Sequence, residues 1–358
     1  MSENKTENKR GDFLNKYGIA LILGTALLFK IILIIIFKYR LYFDVIKAVE
    51  LGHEYFLHKR LMFITSKTYL SPMLWFFIYR YFGIWGLKIV NLIAFVLLFF
   101  IQYNLGKKSY RFDTVLIALF LFSFYVGTNL NAVAGEQDDF LFPLFFSLGI
   151  LLYRNKAKAF WAGLLMGIGF LFKFSLGIFF VGFILFLLIK RKWVDTALSV
   201  TGMLIPFLCL NFIDSFHSFD NFLYSMGIQS GYSSWGNVIF KFFSTGIIFA
   251  ILVSIWTLFH EKNDTNLMFF LIATMYPLYA LINKDAFSAS YIMMSGMIFF
   301  SFLIAEFLLK NKYFGKGKKR NLLILGTLIF YFIVTSMITL HNASQNPNDV
   351  SGRHSLIN

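Results

Sequence analysis

The 358 residues are 58% hydrophobic, 20% aromatic and only 14% charged, with a formal net charge of +15 at pH 7. So few ionisable groups exclude a large soluble domain, and apolar runs near the ~20 residues that cross a ~30 Å hydrocarbon core recur from end to end. These runs lack the alternation of barrel strands, so the predicted fold is an all-α membrane bundle. The basic residues sit in short loops beside apolar runs rather than among exposed aromatics, so topology accounts for them and nucleic acid is not an expected partner.

Taken in order, a polar tail over 1–18 precedes an apolar run at about 19–37 that is too long for a signal-peptide core and lacks a small-x-small cleavage site. An uncleaved first span is expected. Lys30 within it would cost ~3 kcal/mol if unpaired at mid-depth, so it must find water, a headgroup or an acid. Residues 38–84 are the expected first outer loop with short half-helices. Its opening, YFDVIKAVELGHEYFLHKR from Tyr42 to Arg60, gathers Asp44, Glu50, His53, Glu54, His58, Lys59 and Arg60. His53 and His58 lie five residues apart, which is not the one-face spacing of a helical metal pair. Residues 69–83 are apolar but short and hold Pro72 and Arg80, which predicts a half-helix on the outer side.

Further runs at about 85–105, 114–131, 140–153, 159–172, 174–189, 195–213, 236–259, 267–283, 289–309 and 321–340 bring the expectation to about eleven crossings. They form a single domain over 19–340, followed by an outer tail, 341–358. Glu306 and Lys241, near run ends, read as snorkelling side chains. Cys209 lies in an apolar run and is the only cysteine, so it reads as a small core residue and there is no disulfide framework.

Basic residues set the orientation. With the N-terminus inside and the C-terminus outside, the inner segments carry Lys107, Lys108, Arg111, Arg154, Lys190, Arg191, Lys192 and the run from Lys310 to Arg320, while the later outer loops carry almost none. Asp44, Glu50, Glu54, Glu136, Asp138, Asp139, Asp214, Asp220 and Asp285 then all fall outside. The loop over 38–68 breaks the pattern with Lys38, Arg40, Lys47, Lys59, Arg60 and Lys67. Long loops are exported regardless of charge, but these cations also suit an anionic headgroup, at ~1 kcal/mol for each one near the surface.

Two further stretches could carry chemistry. Gly135-Glu136-Gln137-Asp138-Asp139 places three carboxylates within four positions, and their mutual repulsion calls for a metal, a basic loop or water. Capping the helix at Phe140 needs only one of them, so a cap and a site are both open. WAGLLMGIGFLFKFSLG, Trp161 to Gly177, offers Gly163, Gly167 and Gly169 as a close-packing face and ends near Lys173, for which snorkelling and phosphate contact are equally open.

An outer Asp early in the first loop, SPMLWFFIYRYFG from Ser71 to Gly83, the GEQDD turn and AGLLMGIGFLFKF follow one another in this order. Together they resemble the integral-membrane glycosyltransferases of the GT-C fold, the superfamily of polyprenyl-phosphate-mannose-dependent and protein O-mannosyl transferases, over about residues 20 to 190. The resemblance implies that Asp44 is the catalytic base, that an acid of the second outer loop, Asp138 or Asp139, shapes the site, and that Lys173 meets the donor phosphate; Glu136, Lys59, Arg60 and Arg80 are further candidate substrate-binding residues. Asp44 is followed by Val45 and Ile46 rather than completing Asp-x-Asp, which argues against direct metal binding there; a divalent cation stays open. Gln229 and Tyr232 read equally as sugar contacts or surface loop, and Ser288, Ser290 and Tyr291 are similar to a family feature near the substrate cavity.

The chemistry expected is transfer of a sugar, mannose being one candidate, from a polyprenyl-phosphate donor to a lipid, glycan or protein hydroxyl at the outer face of the plasma membrane. An Asp with a reference pKa near 3.9 is ionised and able to accept the acceptor proton. A lipid phosphate is already a leaving group, and no GxxxxGK[ST] loop is present. The alternatives are a transporter or flippase of lipid-linked glycans, which would show repeated halves and mid-membrane charges, and a polymerase, which would use Arg in large outer loops.

Overall fold

The computed structural model describes residues 2–41, 43–58, 70–134, 138–155, 158–213, 234–244, 246–283, 289–311, 317–345 and 348–349. Among them are fourteen α-helices: α1 (Ser2–Ile36), α2 (Phe43–His58), α3 (Leu70–Gly106), α4 (Phe112–Ser123), α5 (Val126–Ala134), α6 (Asp138–Arg154), α7 (Ala159–Phe170), α8 (Ile178–Ile189), α9 (Trp193–Ile213), α10 (Trp235–Ser244), α11 (Ile247–His260), α12 (Asp264–Asn283), α13 (Ala289–Lys310) and α14 (Gly317–Gln345). The described strands are two dipeptides, β1 (Arg40–Leu41) and β2 (Asn348–Asp349), paired antiparallel. The protein is an all-α membrane bundle, as composition requires.

Five helices are long and apolar enough to cross a bilayer, and the pair α4 and α5, bent by 47° at their break, passes the same test jointly. Several of the other apolar runs are cut short. The run at 174–189 starts after a turn at Leu171–Lys173 and a 3-10 turn over Phe174–Gly177, and the run at 236–259 is interrupted at Gly246, whose φ of 74° only glycine adopts cheaply. A twelve-residue helix such as α7 or α8 rises about 18 Å, less than a hydrocarbon core. Gly83, at φ 59° and ψ −156°, divides α3 into a half-helix over 70–82 and a long apolar helix from 84 onward.

The glycine face has the packing role its spacing suggested. α7 lies between α6 and α9, and a methyl group at Gly163 would strike the Ser199 carbonyl, while one at Gly167 would strike that of Met203. Gly202 of α9 faces the Phe160 carbonyl in the same way. Phenylalanines fill the interior, with Phe142, Phe146, Phe179 and Tyr276 forming a continuous aromatic column across α6, α8 and α12.

The end of the bundle where α3, α6, α8 and α13 finish is tied by ionic and polar links. Lys190 pairs with Asp264 at 2.5 Å, and Lys310 pairs with Glu261 at 2.6 Å and with Glu306 at 2.8 Å. Glu306 does not snorkel. It is buried and also accepts a 2.9 Å hydrogen bond from Thr114, so its second oxygen is satisfied across two helices. Tyr110, in the turn between α3 and α4, donates to Asn266 at 2.7 Å; burial, with the Glu306 carboxylate adding to it and Arg154 opposing, holds its phenol above the ordinary range. Cys209 also departs from expectation. It lies on the exposed side of α9, because helical phase turns it away from the buried Phe207 and Leu210.

The glycine contacts predict a contrast measurable by thermal unfolding in detergent. Gly163→Ala should destabilise by about 1–3 kcal/mol through overpacking. Gly24→Ala, where an added methyl has no neighbour within 4 Å, should be neutral or slightly stabilising.

Candidate active site

Two lysines inside apolar helices define this region, and each is held by the end of another helix. Lys30 of α1 is fully buried; its Nζ donates to the Ser123 carbonyl at 2.6 Å and to Asn129 Oδ1 at 2.8 Å, and lies 4.1 Å from the centre of the Phe95 ring. Ser123 is the last residue of α4, where the break before α5 leaves carbonyls without intrahelical donors. The lysine supplies the missing donor, and its positive charge suits the negative end of the helix. Its partners are therefore a broken helix and an amide, not the water, headgroup or acid expected from sequence.

Lys88 of α3, which the sequence reading passed over, does the same at three places. Its Nζ donates to the Phe37 carbonyl at 3.1 Å, to the Arg40 carbonyl at 3.2 Å and to the Val133 carbonyl. One turn along α3, Asn91 Nδ2 donates to the Asn131 carbonyl at 2.7 Å. Asn131 and Val133 lie in the last turn of α5, so α3 caps that helix from the side. Phe37 and Arg40 belong to the turn leaving α1. Lys88 thereby joins the root of the first loop to the root of the acidic turn.

Apolar packing brings the same segments together. Leu41, Val45, Ile46, Ala48 and Val49 form one buried cluster with Trp75 and Leu87, and Leu141 of α6 packs against it. A neighbouring cluster joins Phe170, Leu171 and Phe174 with Phe207 and Leu210, and Leu70 at the start of α3 packs on it. Phe172 stacks on Phe145 of α6 with ring centres 5.9 Å apart and planes within 4°. The start of α2, the start of α6 and the turn after α7 thus share one end of the bundle, opposite the ion-paired end.

Asp44 is in the first turn of α2. Asp138 and Asp139 open α6, where carboxylates suit the positive end of the helix. Lys173 follows the end of α7 and is half-buried, and Tyr291 is in the first turn of α13. Arg80 is on the half-helix of α3, its guanidinium 5.3 Å from the centre of the Phe56 ring and 5.8 Å from that of Phe76. That contact joins α2 to α3, as does Gly52, where an added methyl would strike the Pro72 carbonyl. Lys59, Arg60, Glu136, Gln229 and Tyr232 lie outside the described residues, as do Ser288 and the tip of the acidic turn. Among the described residues no three His, Cys, Asp or Glu side chains gather as a metal site.

Residues 72–213 match the family model described as dolichyl-phosphate-mannose-protein mannosyltransferase. In three dimensions the chain is similar to ArnT from Cupriavidus metallidurans, whose crystal structure contains undecaprenyl phosphate, over 90% of its length, with a TM-score of 0.61 and 14% sequence identity. The fold is GT-C. Both comparisons thus agree with the resemblance carried by the motifs. The matched stretch contains Lys88, the acidic turn, Lys173 and the glycine face, and begins after Asp44. The chain spans 64% of the length of ArnT. No curated protein matches it in sequence.

Lys30 offers a direct test of its role at the helix break. Lys30→Met removes the donor and leaves the Ser123 carbonyl buried and unpaired, which should cost about 1–3 kcal/mol in unfolding measurements. Lys30→Arg, which keeps donors at this depth, should lose less.

Proposed function

We propose that the protein is a membrane glycosyltransferase of GT-C type, transferring a sugar from a polyprenyl-phosphate donor to an acceptor hydroxyl at the outer membrane face by inversion. The observation that carries this reading is the meeting of the first-loop and acidic-turn roots at Lys88, at the end of the bundle that also holds the turn bearing Lys173. The family description adds mannose as the favoured sugar and dolichyl phosphate as the type of carrier, and the lipid in the ArnT structure is likewise a polyprenyl phosphate.

In this reading Asp44 accepts the proton of the acceptor hydroxyl as its oxygen attacks the anomeric carbon. The bond from that carbon to the phosphate oxygen breaks on the opposite side, and the polyprenyl phosphate leaves with the electron pair. Lys173, with Lys59 and Arg60 of the first loop, offsets the charge gathering on the phosphate, an interaction that strengthens as charge develops and therefore lowers the barrier. In this reading Glu136, Asp138 and Asp139 are the acids that shape the site, and Gln229 and Tyr291 take part in substrate binding.

Transfer of a labelled prenyl-phosphate mannose in reconstituted membranes tests the base directly. Asp44→Asn should lower turnover by about 10²–10⁴-fold while the protein inserts normally. Unchanged turnover would remove Asp44 from the reaction. The sidedness has its own check: a cysteine replacing the exposed Leu57, in a Cys209→Ser background, should react with an impermeant maleimide added outside intact cells and not in inverted vesicles.

A further inference from the structure

We propose that Lys88 is the positioning residue of this site, setting the distance between the segment that carries Asp44 and the segment that carries the acidic turn. The inference rests on the transferase reading for its kinetic consequence and on geometry alone for its structural one. The Lys88 side chain is 0% exposed, and its three donors reach the carbonyls of Phe37, Arg40 and Val133. These bonds commit the Lys88 amine to main-chain carbonyls.

The carbonyls it holds lie close to the proposed chemistry. Arg40 is four residues before Asp44, and Val133 is five residues before Asp138. Arg40 is fixed from three directions. Its carbonyl meets Lys88, its amide donates to the Phe37 carbonyl at 2.9 Å, and its strand pairs with the tail strand β2, Arg40 opposite Asp349. On the other side, Asn91 and Lys88 hold alternate carbonyls of the last turn of α5, so the chain leaves that helix in a defined direction. One lysine at the junction thus ties together both acid-bearing segments through their main chain.

The test compares wild type, Lys88→Met and Lys88→Arg, each full length in nanodiscs, by hydrogen exchange and by transfer kinetics with labelled prenyl-phosphate mannose. Lys88→Met should raise amide exchange about 10-fold or more in 37–46 and 131–140 while 159–170 keeps its protection, because only the pinned segments lose their tether. Its kcat should fall about 100-fold, the scale of a small misplacement of reacting groups, with KM for the donor within about threefold. Lys88→Arg, which keeps donors for the carbonyls, should recover most of both. A KM effect with unchanged exchange would make Lys88 a donor ligand and overturn the proposal. Exchange rising throughout the chain, or no change in either measurement, would overturn it as well. If wild type transfers no sugar, the enzyme reading fails, and the exchange pattern still decides whether Lys88 positions these segments.

Discussion

A buried ammonium against the carbonyl end of a helix is the interaction on which this fold depends. A bilayer interior tolerates neither a free charge nor an unpaired carbonyl, and each costs several kcal/mol alone. Put together they satisfy each other. Lys30 and Lys88 are the donors, and the ends of α4 and α5 and the turn after α1 are the acceptors. The break between α4 and α5 is stable because a lysine from a neighbouring helix completes it, and α5 then ends at Ala134, just before the acidic residues.

The two ends of the bundle are consequently built in different ways. At one end, ion pairs link loop to helix across the chain, with Lys310 bridging Glu261 and Glu306 and Lys190 reaching Asp264. Exposed pairs of this kind are worth little individually, but Glu306 is buried and hydrogen-bonded to Thr114, which makes this end a fixed base. At the other end, α2 and the half-helix of α3 lie against each other over Gly52, α7 and α8 are short, and Asp44, Asp138 and Asp139 lie in the first turns of their helices. That asymmetry is compatible with the transfer proposed above, in which a lipid phosphate and an acceptor meet at one face.

Much of this was legible in the sequence, and the failures have specific causes. Apolar run length predicted the helices, and the Gly163, Gly167 and Gly169 spacing predicted close packing that the Ser199 and Met203 carbonyls now explain. The stretch with Pro72 and Arg80 was set apart from the span after it, and Gly83 is where the helix breaks. Lys88 was missed because its partners are main-chain carbonyls, which have no sequence signature; the one clue was a second lysine in an apolar run, of the same kind as Lys30. The partner of Glu306 at i+4 was readable, but Thr114, nearly two hundred positions away, was not. Cys209 was misplaced because an apolar run on a membrane helix does not reveal which face meets the bundle.

The central claim is that two stretches far apart in sequence, the first loop and the acidic turn, meet at one end of the bundle. Cysteines replacing Asp44 and Gln137 in a Cys209→Ser background, treated with a short bifunctional maleimide in native membranes, measure that proximity directly. The account predicts efficient cross-linking within one chain, detected as a proteolytic fragment pair that stays joined. Cysteines that react singly yet never link would contradict it.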